Sequence, residues 1–251
     1  MKKKLGIIGF GTIGKKLYEQ IVDDGLLEVA FIYDAKADVP PHIALAGFPC
    51  GQNFAQVDLV VEAAVSQVVA DYGCEILRYT DFMPLSLTAL SDQPLYDDLL
   101  RTASIHQHRL FVPHGAILGL DGIFDGRHLF ETVQIVTIKN PKSFGRSDTQ
   151  RTTIFEGSAR EAAKMMPRNV NVHAALALAG IGFDQTKSIL ISDPQTKENT
   201  HIITAKEHST VFEIAIKSNP IGAVTGAFTP VSAYGSVKRA LGIGKENLVI
   251  V

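Results

Sequence analysis

The sequence predicts an α/β protein of two parts, a doubly wound parallel sheet followed by an α+β region built on a mostly antiparallel sheet. Three observations support this prediction. Short apolar runs alternate with helix-like stretches as far as residue 112, a glycine-rich turn separates the first run from the first helix, and strand character dominates after Pro113. We therefore expect a first domain over residues 1–113 and a second over residues 114–251.

The first part reads as five short strands separated by helices. The strands are predicted over residues 5–8, 29–33, 59–62, 81–87 and 110–112. The helices are predicted over residues 14–24, 66–77 and 94–106. Ser66 is expected to cap the second helix, and Pro94 to lie in the first turn of the third. Because parallel strands need a crossover connection, usually a helix, this alternation indicates a parallel sheet.

The second part has more strands and fewer helices. Its strands are predicted over residues 132–139, 152–155, 188–192, 201–205 and 211–217. Ser158 and Glu161 fit a capping box at the start of one helix, and another helix covers about residues 172–179. A last helix, over about residues 232–241, is free to pack back onto the first domain. The predicted loops cover residues 141–149 and 220–230.

Composition excludes several classes of function. The 251 residues are 46% hydrophobic and 20% charged, which is ordinary for a globular protein, and the apolar runs are too short to cross a membrane. A net charge of -2, without a basic cluster beyond residues 2–4, gives little support to nucleic-acid binding. Cys50 and Cys74 fit no disulfide framework, and no cluster has metal-ligand spacing. We expect a cytoplasmic protein with no membrane, nucleic-acid or metal partner.

A glycine pattern directly follows the first predicted strand. The pattern G-x-G-x-x-G is filled by Gly9, Phe10, Gly11, Thr12, Ile13 and Gly14. Between a strand and a helix it is the fingerprint of a dinucleotide-binding Rossmann domain, in which the helix N-terminus holds the pyrophosphate. Such a domain implies an oxidoreductase that uses NAD or NADP.

Two further features bear on the cofactor. Asp34 ends the second strand, where an acidic side chain hydrogen-bonds the ribose hydroxyls and repels a 2′-phosphate. NAD is therefore the expected cofactor and NADP the alternative, with nearby Lys36 weakening the preference. Ala63 and Ala64 follow the third strand at the same edge of the sheet. They either leave room for the cofactor or are ordinary packing alanines.

Segments of the second half resemble the L-aspartate dehydrogenase family. They occur in the family's order and, with the glycine fingerprint, extend from residue 5 to about residue 215. The segments are residues 112–121 (VPHGAILGLD), 155–158 (FEGS), 167–172 (PRNVNV), 193–194 (DP) and 199–201 (NTH). The resemblance implies an NAD(P)-dependent amino-acid dehydrogenase that interconverts L-aspartate and iminoaspartate, or oxaloacetate plus ammonia. Iminoaspartate from this reaction can feed NAD biosynthesis.

The resemblance also implies roles for individual residues. His201 matches the family's catalytic histidine, and Ala116 and Asn171 match positions that contact the nicotinamide end of the cofactor. The chain departs from the family pattern at His114, where serine is usual, and at Leu118, where glycine is usual. It also departs at residues 221–226, which replace a Pro-Lys-Thr-Ser stretch.

A substrate with two carboxylates needs positive or hydrogen-bonding partners. The candidates from the sequence are His114, Lys142, Ser143 and Thr88, with Lys139 and Arg168 as further cations. His201 is the expected acid–base group, because histidine titrates near neutral pH. His173 is expected to lie on a helix and to face away from the site.

Two alternatives to an aspartate dehydrogenase stay open at this stage. One is a dehydrogenase of the same architecture with another small substrate, which the departures motivate. The other is a catalytically silent NAD-binding sensor or partner protein. In each case we expect a homodimer or larger oligomer, because open sheets in second domains of this kind often bury one face against a symmetry mate.

Overall fold

The computed structural model describes residues 2–221 and 225–244, and its first part is built on a parallel sheet. The sheet order is β2-β1-β3-β4, and every pairing is parallel. The strands are β1 (Lys4–Ile8), β2 (Glu28–Tyr33), β3 (Leu59–Glu62) and β4 (Asp81–Pro84). The winding reverses between β1 and β3, so a crevice opens beyond the carboxyl ends of these two strands.

Helices cover both faces of this sheet, which explains why β3 and β4 are buried throughout. The helices are α1 (Thr12–Asp24), α2 (Gly51–Phe54), α3 (Ser66–Tyr79) and α4 (Gln93–His106). Helix α1 buries Leu17 and Ile21, and it ends at Gly25, whose φ of 62° suits a left-handed C-cap. The carboxylate of Asp92 caps α4 by accepting from the backbone N–H of Leu95 at 3.0 Å.

Three predictions about this part need correction. Ser66 is the first residue of α3, not its cap, and its hydroxyl bonds to that of Thr88 at 2.9 Å. Strand β4 ends at Pro84, and a 3-10 helix over Leu87–Ser91 follows it. The strand predicted over residues 110–112 is reduced to an isolated bridge between Leu110 and Phe82, since only that pair is in register.

The second part is a five-stranded mixed sheet of order β6-β7-β5-β8-β9. Three of its four pairings are antiparallel, and only β5 and β7 run parallel, which confirms the mostly antiparallel sheet. The strands are β5 (Thr132–Lys139), β6 (Thr152–Ser158), β7 (Lys187–Ser192), β8 (Asn199–Lys206) and β9 (Val211–Ser218).

Helices cover one face of this sheet, and no helix of residues 2–221 and 225–244 covers the other. The covering helices are α5 (Leu120–Gly126), α6 (Ala159–Met165) and α7 (Asn171–Ala179). The predicted capping box forms at α6, where the Ser158 hydroxyl and the Glu161 carboxylate each accept from the other residue's backbone N–H. Helix α5 was missed from sequence because its seven residues are too few to show a helical period.

The last described helix returns to the first sheet. A two-residue pairing of β10 (Pro220–Ile221) with β11 (Thr225–Gly226) lies within the predicted loop, and α8 (Thr229–Ala240) starts three residues before the predicted helix. Helix α8 packs on α1 through Ala233, Tyr234 and Val237, and the Tyr234 hydroxyl donates to Asp24. In the described ranges no helix has both the length and the apolar character to cross a membrane.

Candidate active site

A cleft of about 670 Å³ opens at the carboxyl edge of the first sheet and extends to the helix-covered face of the second. Its walls come from the glycine turn, the loops after β3 and β4, the connection at residues 113–116, the start of α7, β5 and β8. The expected site residues that line it are Gly11, Thr12, Ile13, Ala63, Ala64, His114, Ala116, Asn171 and His201. These residues are scattered along the chain, and the fold brings them to one cavity.

Gly9 and Gly14 do not line the cleft, but they set the backbone conformation of the glycine turn. Gly9 has a φ of 100°, and a Cβ there would lie 2.6 Å from the backbone of Ala63. A Cβ on Gly14 would lie 2.0 Å from the carbonyl oxygen of Gly9, so only glycine lets α1 start this close to the turn. Nothing lies within 4 Å of a Cβ built on Gly11, which leaves open space at the start of α1. An anion could approach the helix N-terminus through this space.

Asp34 stabilises the glycine turn by hydrogen bonding. Its carboxylate accepts a hydrogen bond from the backbone N–H of Phe10 at 2.7 Å and from those of Lys36 and Ala37 at 2.8 Å each. Partial burial raises the pKa of this carboxyl, but the three N–H donors outweigh that effect and hold the pKa below its usual value. Asp34 is therefore ionised at neutral pH, at the end of β2 where a ribose would lie.

Glu62, the last residue of β3, is a completely buried carboxyl. It accepts from the backbone N–H of Ala64 at 2.7 Å, and from the N–H and hydroxyl of Ser86 at 3.1 and 2.9 Å. Burial raises its pKa to about 7, although these donors favour the ionised form. Glu62 thus ties together the two loops that follow β3 and β4, and both loops line the cleft.

Asn171 lies at the first turn of α7, and hydrogen bonds from Thr88 orient its side-chain amide. The amide oxygen of Asn171 accepts from the backbone N–H of Thr88 at 3.2 Å and from its hydroxyl at 3.3 Å. These bonds point the amide nitrogen of Asn171 away from Thr88. Thr88 itself is buried, and the carbonyl of Pro167, 3.1 Å from its hydroxyl oxygen, is the alternative acceptor for the hydroxyl hydrogen. Its expected role as a substrate ligand needs correction, because the 3-10 helix after β4 turns its side chain under α7.

Lys142 and Ser143 are also not brought to the cleft. They lie on a 3-10 helix (Pro141–Phe144) that starts as soon as β5 ends and leads the chain away from the cavity. The residue that lines the cleft in their place is Lys139, the last residue of β5, which is 3% exposed. Burial lowers the pKa of its ammonium group to about 8.

His201 lies on β8 beside Lys139, and it is 4% exposed. Its Nδ1 is 2.8 Å from the hydroxyl of Thr137, the residue directly opposite on β5. Burial, and then the charge of Lys139, lower the pKa of His201 to about 3. The ring is therefore neutral over the physiological pH range. Since Nδ1 is engaged by Thr137, Nε2 is the nitrogen available to a ligand.

The expectation for His173 agrees with the structure, because this residue lies on α7 and does not line the cleft. Its ring faces the sheet, where its Nε2 is 2.7 Å from the same Thr137 hydroxyl. Reasoning from sequence missed several cleft residues, namely Gln67, Asn169, Thr225, Gly226 and Thr229. Lys139, a candidate from the sequence, does line the cleft, and it follows Val133, Ile135 and Thr137 on the alternating buried side of β5. Of the unusual segment 221–226, residues 222–224 lie outside the described residues.

His114 lines the cleft beside α8. Its backbone N–H donates to the Ser236 hydroxyl at 3.4 Å, and burial followed by the charge of Arg239 lowers the pKa of its ring. The side chain is half-buried at the point where the connection at residues 113–116 meets the cavity. His114 can therefore contact a ligand, whereas a serine there would leave more room.

Two family models match the chain. The model "Homoserine dehydrogenase, NAD binding domain" matches residues 9–113, and "Aspartate dehydrogenase, C-terminal" matches residues 125–240. An L-aspartate dehydrogenase of Archaeoglobus fulgidus is 35% identical over 249 residues, which are 98% of this chain and 99% of the relative. One of Thermotoga sp. is 35% identical over 216 residues, 85% of this chain and 86% of the relative.

Solved structures agree with these matches. The crystal structure of an aspartate dehydrogenase from Thermotoga maritima has a TM-score of 0.82 at 30% identity, and the comparison covers 100% of both chains. A hyperthermophilic archaeal homoserine dehydrogenase in complex with NADPH has a TM-score of 0.61 at 14% identity and covers 97% of this chain and 99% of that one. The second likeness shows a shared fold alone.

The raised pKa of Glu62 predicts a pH-dependent contribution to stability. Because the folded-state pKa of about 7 exceeds the ordinary 4.5, this contribution is fully present below pH 4.5 and is lost as the pH rises through 7. Compared with Glu62→Gln, the wild type should gain about 1 kcal/mol of unfolding free energy between about pH 8.5 and 6. Urea unfolding of both proteins at the two pH values measures this gain.

Other titrating groups, such as the buried His173 and His201, are common to both proteins and cancel in the difference between them. An equal difference at both pH values would show that Glu62 keeps one protonation state across this range.

Proposed function

This chain belongs to the L-aspartate dehydrogenase family, and we propose that its cleft interconverts L-aspartate and iminoaspartate, or oxaloacetate plus ammonia, by NAD(P)-dependent hydride transfer. The observation that carries the proposal is that one cavity joins a dinucleotide turn to a buried histidine and lysine. We assign dinucleotide binding to residues 1–113, and substrate binding and oligomerisation to residues 114–251. The two free thiols, Cys50 and Cys74, suit a reducing cytoplasm.

The glycine turn and its neighbours fit the dinucleotide. The open space at Gly11 and the N-terminus of α1 suit the pyrophosphate, while Ala63 and Ala64 leave room beside it. Ala116 and Asn171 line the same cleft as His201, and we assign the nicotinamide end of the cofactor to them. When bound, the nicotinamide accepts or returns the hydride.

Asp34 should set the preference for NAD over NADP, because its ionised carboxylate would face the 2′-phosphate of NADP. Asp34→Asn keeps one oxygen to accept from the backbone N–H groups and removes the charge. We expect the ratio of kcat/KM for NAD to that for NADP to fall by about tenfold, equivalent to about 1.4 kcal/mol. Steady-state kinetics with both cofactors measure the ratio. Lys36→Met is the charge control, and it should shift the ratio toward NAD.

His201 is the acid–base group of the proposed reaction. Oxidation of an amine requires the ammonium form to lose a proton before the hydride leaves, and a neutral imidazole can accept that proton. Burial is the larger cause of the low pKa of His201, and the positive charge of Lys139 is the second. A substrate with two carboxylates offsets that charge, and the pKa of His201 rises when the base is needed.

Lys139 and Arg168 are the proposed carboxylate ligands. Lys139 lies next to His201 at the buried end of the cleft, so it suits the carboxylate nearer the reacting carbon. Arg168 is exposed on the wall formed by residues 167–172 and suits the second carboxylate. Two cations at the two ends would favour a short dicarboxylate over a monocarboxylic amino acid.

The direct test follows NADH absorbance with oxaloacetate and ammonium at mildly alkaline pH. We expect NADH loss that depends on ammonium, and a fall in kcat of at least about a hundredfold in His201→Ala with NAD affinity retained. Lys139→Met should instead act mainly on the KM for the dicarboxylate, because it removes a binding charge. Wild-type turnover in His201→Ala would refute the role given to His201.

His114 favours a second candidate function, a dehydrogenase of this architecture with another small substrate, because its ring occupies the cleft wall. The same assay with a panel of amino acids, 2-keto acids and aldehydes separates the two candidates. Activity only outside the aspartate–oxaloacetate pair supports the second candidate. NADH binding without any turnover supports a silent NAD-binding protein.

The open face of the second sheet supports a homo-oligomer. The side chains directly opposite one another on β7, β5 and β8 are Ile189, Val136 and Ile202, and Ile191 and Ile138 lie beside them. All five are half-buried β-branched residues on the face without helices. An apolar patch of this kind marks a contact surface, and a second copy related by two-fold symmetry would cover it.

Ile189→Lys tests this surface by placing a charge at the patch centre. We expect the wild type to have the mass of a dimer or larger by light scattering, and the variant to have that of a folded monomer. Lys187→Ala, which changes an exposed residue on the same strand and face, is the matched control and should keep the wild-type mass. A monomeric wild type at about 50 μM would contradict the proposal.

A further inference from the structure

Behind His201 lies a chain of hydrogen bonds that the proposed reaction has not yet used. His201 Nδ1 is 2.8 Å from Thr137 Oγ1, which is 2.7 Å from His173 Nε2, and His173 Nδ1 is 2.5 Å from Ser188 Oγ. The members come from β8, β5, α7 and β7, and Thr137, His173 and Ser188 have no exposed surface. Four polar side chains are thus buried together in the core of the second domain.

The single hydrogen of the Thr137 hydroxyl links the two rings. It can donate to only one of them, so the second hydrogen bond requires a hydrogen on the facing nitrogen of the other ring. Both rings are neutral, because burial lowers the pKa of His201 to about 3 and that of His173 well below its usual value. Each neutral ring carries one N–H hydrogen, so only two arrangements let the Thr137 hydroxyl also donate its own hydrogen within the chain.

In the first arrangement His201 carries its hydrogen on Nδ1 and donates to Thr137, Thr137 donates to His173 Nε2, and His173 donates from Nδ1 to Ser188. In the second arrangement every donor and acceptor is exchanged, and His201 carries its hydrogen on Nε2. Only the first arrangement leaves a lone pair on the nitrogen of His201 that is available to the substrate.

We propose that Thr137 and His173 are positioning residues that hold His201 in the Nδ1–H tautomer, so that its Nε2 is the base for the substrate nitrogen. This inference rests on the proposed function of His201. In amine oxidation the N–H bond of the substrate ammonium breaks, its electron pair stays on nitrogen, and the proton bonds to Nε2. The Nδ1–H bond to Thr137 persists, so both N–H groups of the resulting imidazolium have partners.

The identity of the orienting group matters to the chemistry. Catalytic histidines are often oriented by a carboxylate, which also stabilises the imidazolium. The chain behind His201 consists of two hydroxyls and a second imidazole, and it contains no carboxylate. It fixes the tautomer without adding negative charge. His201 is therefore neutral before substrate binds, and the negative charge of a dicarboxylate would raise the pKa of the ring.

Thr137→Val removes the hydroxyl at nearly constant volume, and Thr137→Ser keeps it. We expect Thr137→Val to lower kcat for aspartate oxidation by about ten- to a hundredfold, with the KM values for NAD and aspartate within about twofold of wild type. Thr137→Ser should return kcat to within about threefold of wild type. A role in packing alone would give the opposite order, because serine leaves a cavity that valine fills.

Nitrogen-15 NMR of histidine-labelled protein reads the tautomers directly, with His201→Ala and His173→Phe used for assignment. In the wild type with NAD bound, we expect the Nδ1–H form for both rings. Thr137→Val should populate the Nε2–H form of His201. The wild-type spectrum also tests the inference if the valine variant does not fold.

An Nε2–H tautomer of His201 in the wild type, or a kcat in folded Thr137→Val within about twofold of wild type, would overturn the inference. His201→Ala separates this failure from that of the proposed function. If turnover is lost in His201→Ala but kept in Thr137→Val, the positioning role is wrong and the base stands. If His201→Ala keeps wild-type turnover, the proposed function of His201 fails first.

Discussion

The cleft depends on the parallel register of β1 with β3. In this register Ile8 lies opposite Glu62, and the backbone N–H of Ala63 donates to the carbonyl of Ile8 at 2.7 Å. The glycine turn and the loop after β3 therefore leave the sheet side by side, so close that Gly9 has no room for a side chain. Because the winding reverses here, no crossover covers the edge, and the space remains open for a cofactor.

The other wall of the cleft depends on β5, whose helix-facing side chains change from apolar to polar along the strand. On β5, Val133 and Ile135 pack under the helices, and the next two residues on the same face are Thr137 and Lys139. Burying a polar group costs folding free energy unless the group has hydrogen-bond or ion-pair partners. Thr137 bonds to two rings, and Lys139 has its pKa lowered by burial. The apolar face of the strand thus becomes a low-dielectric polar site where the sheet reaches the cleft.

Much of the first half could be predicted from sequence because its signals are local. The glycine pattern, the strand before it and the acidic residue at the end of β2 each depend on neighbours within a few residues, and the NAD-binding match over residues 9–113 supports that interpretation. The error at Ser66 comes instead from a contact that is distant in sequence. Ser66 carries a capping side chain but bonds to Thr88, which lies 22 residues away along the chain. Propensity alone could not anticipate that competing partner.

In the second half, single residues could be matched to a family pattern, but the residues that contact them in the folded protein could not be inferred. The family resemblance singled out His201 and Asn171, and both line the cleft. The partners that orient them, Thr137 and Thr88, lie 64 and 83 residues away along the chain. The substrate candidates Lys142 and Ser143 were close in sequence to the right strand, yet the chain turns away before reaching them.

The sequence by itself determined the order of strands and helices, the cofactor turn and the family, since these follow from spacing and short patterns. Only the tertiary structure decided which polar side chains meet. His173 and Asn171 are two residues apart on α7, yet one faces the sheet and the other the cleft, because a helix turns by about 100° per residue. Whether those directions meet Thr137 and Thr88 depends on how α7 packs between the two sheets, and long-range packing sets that position.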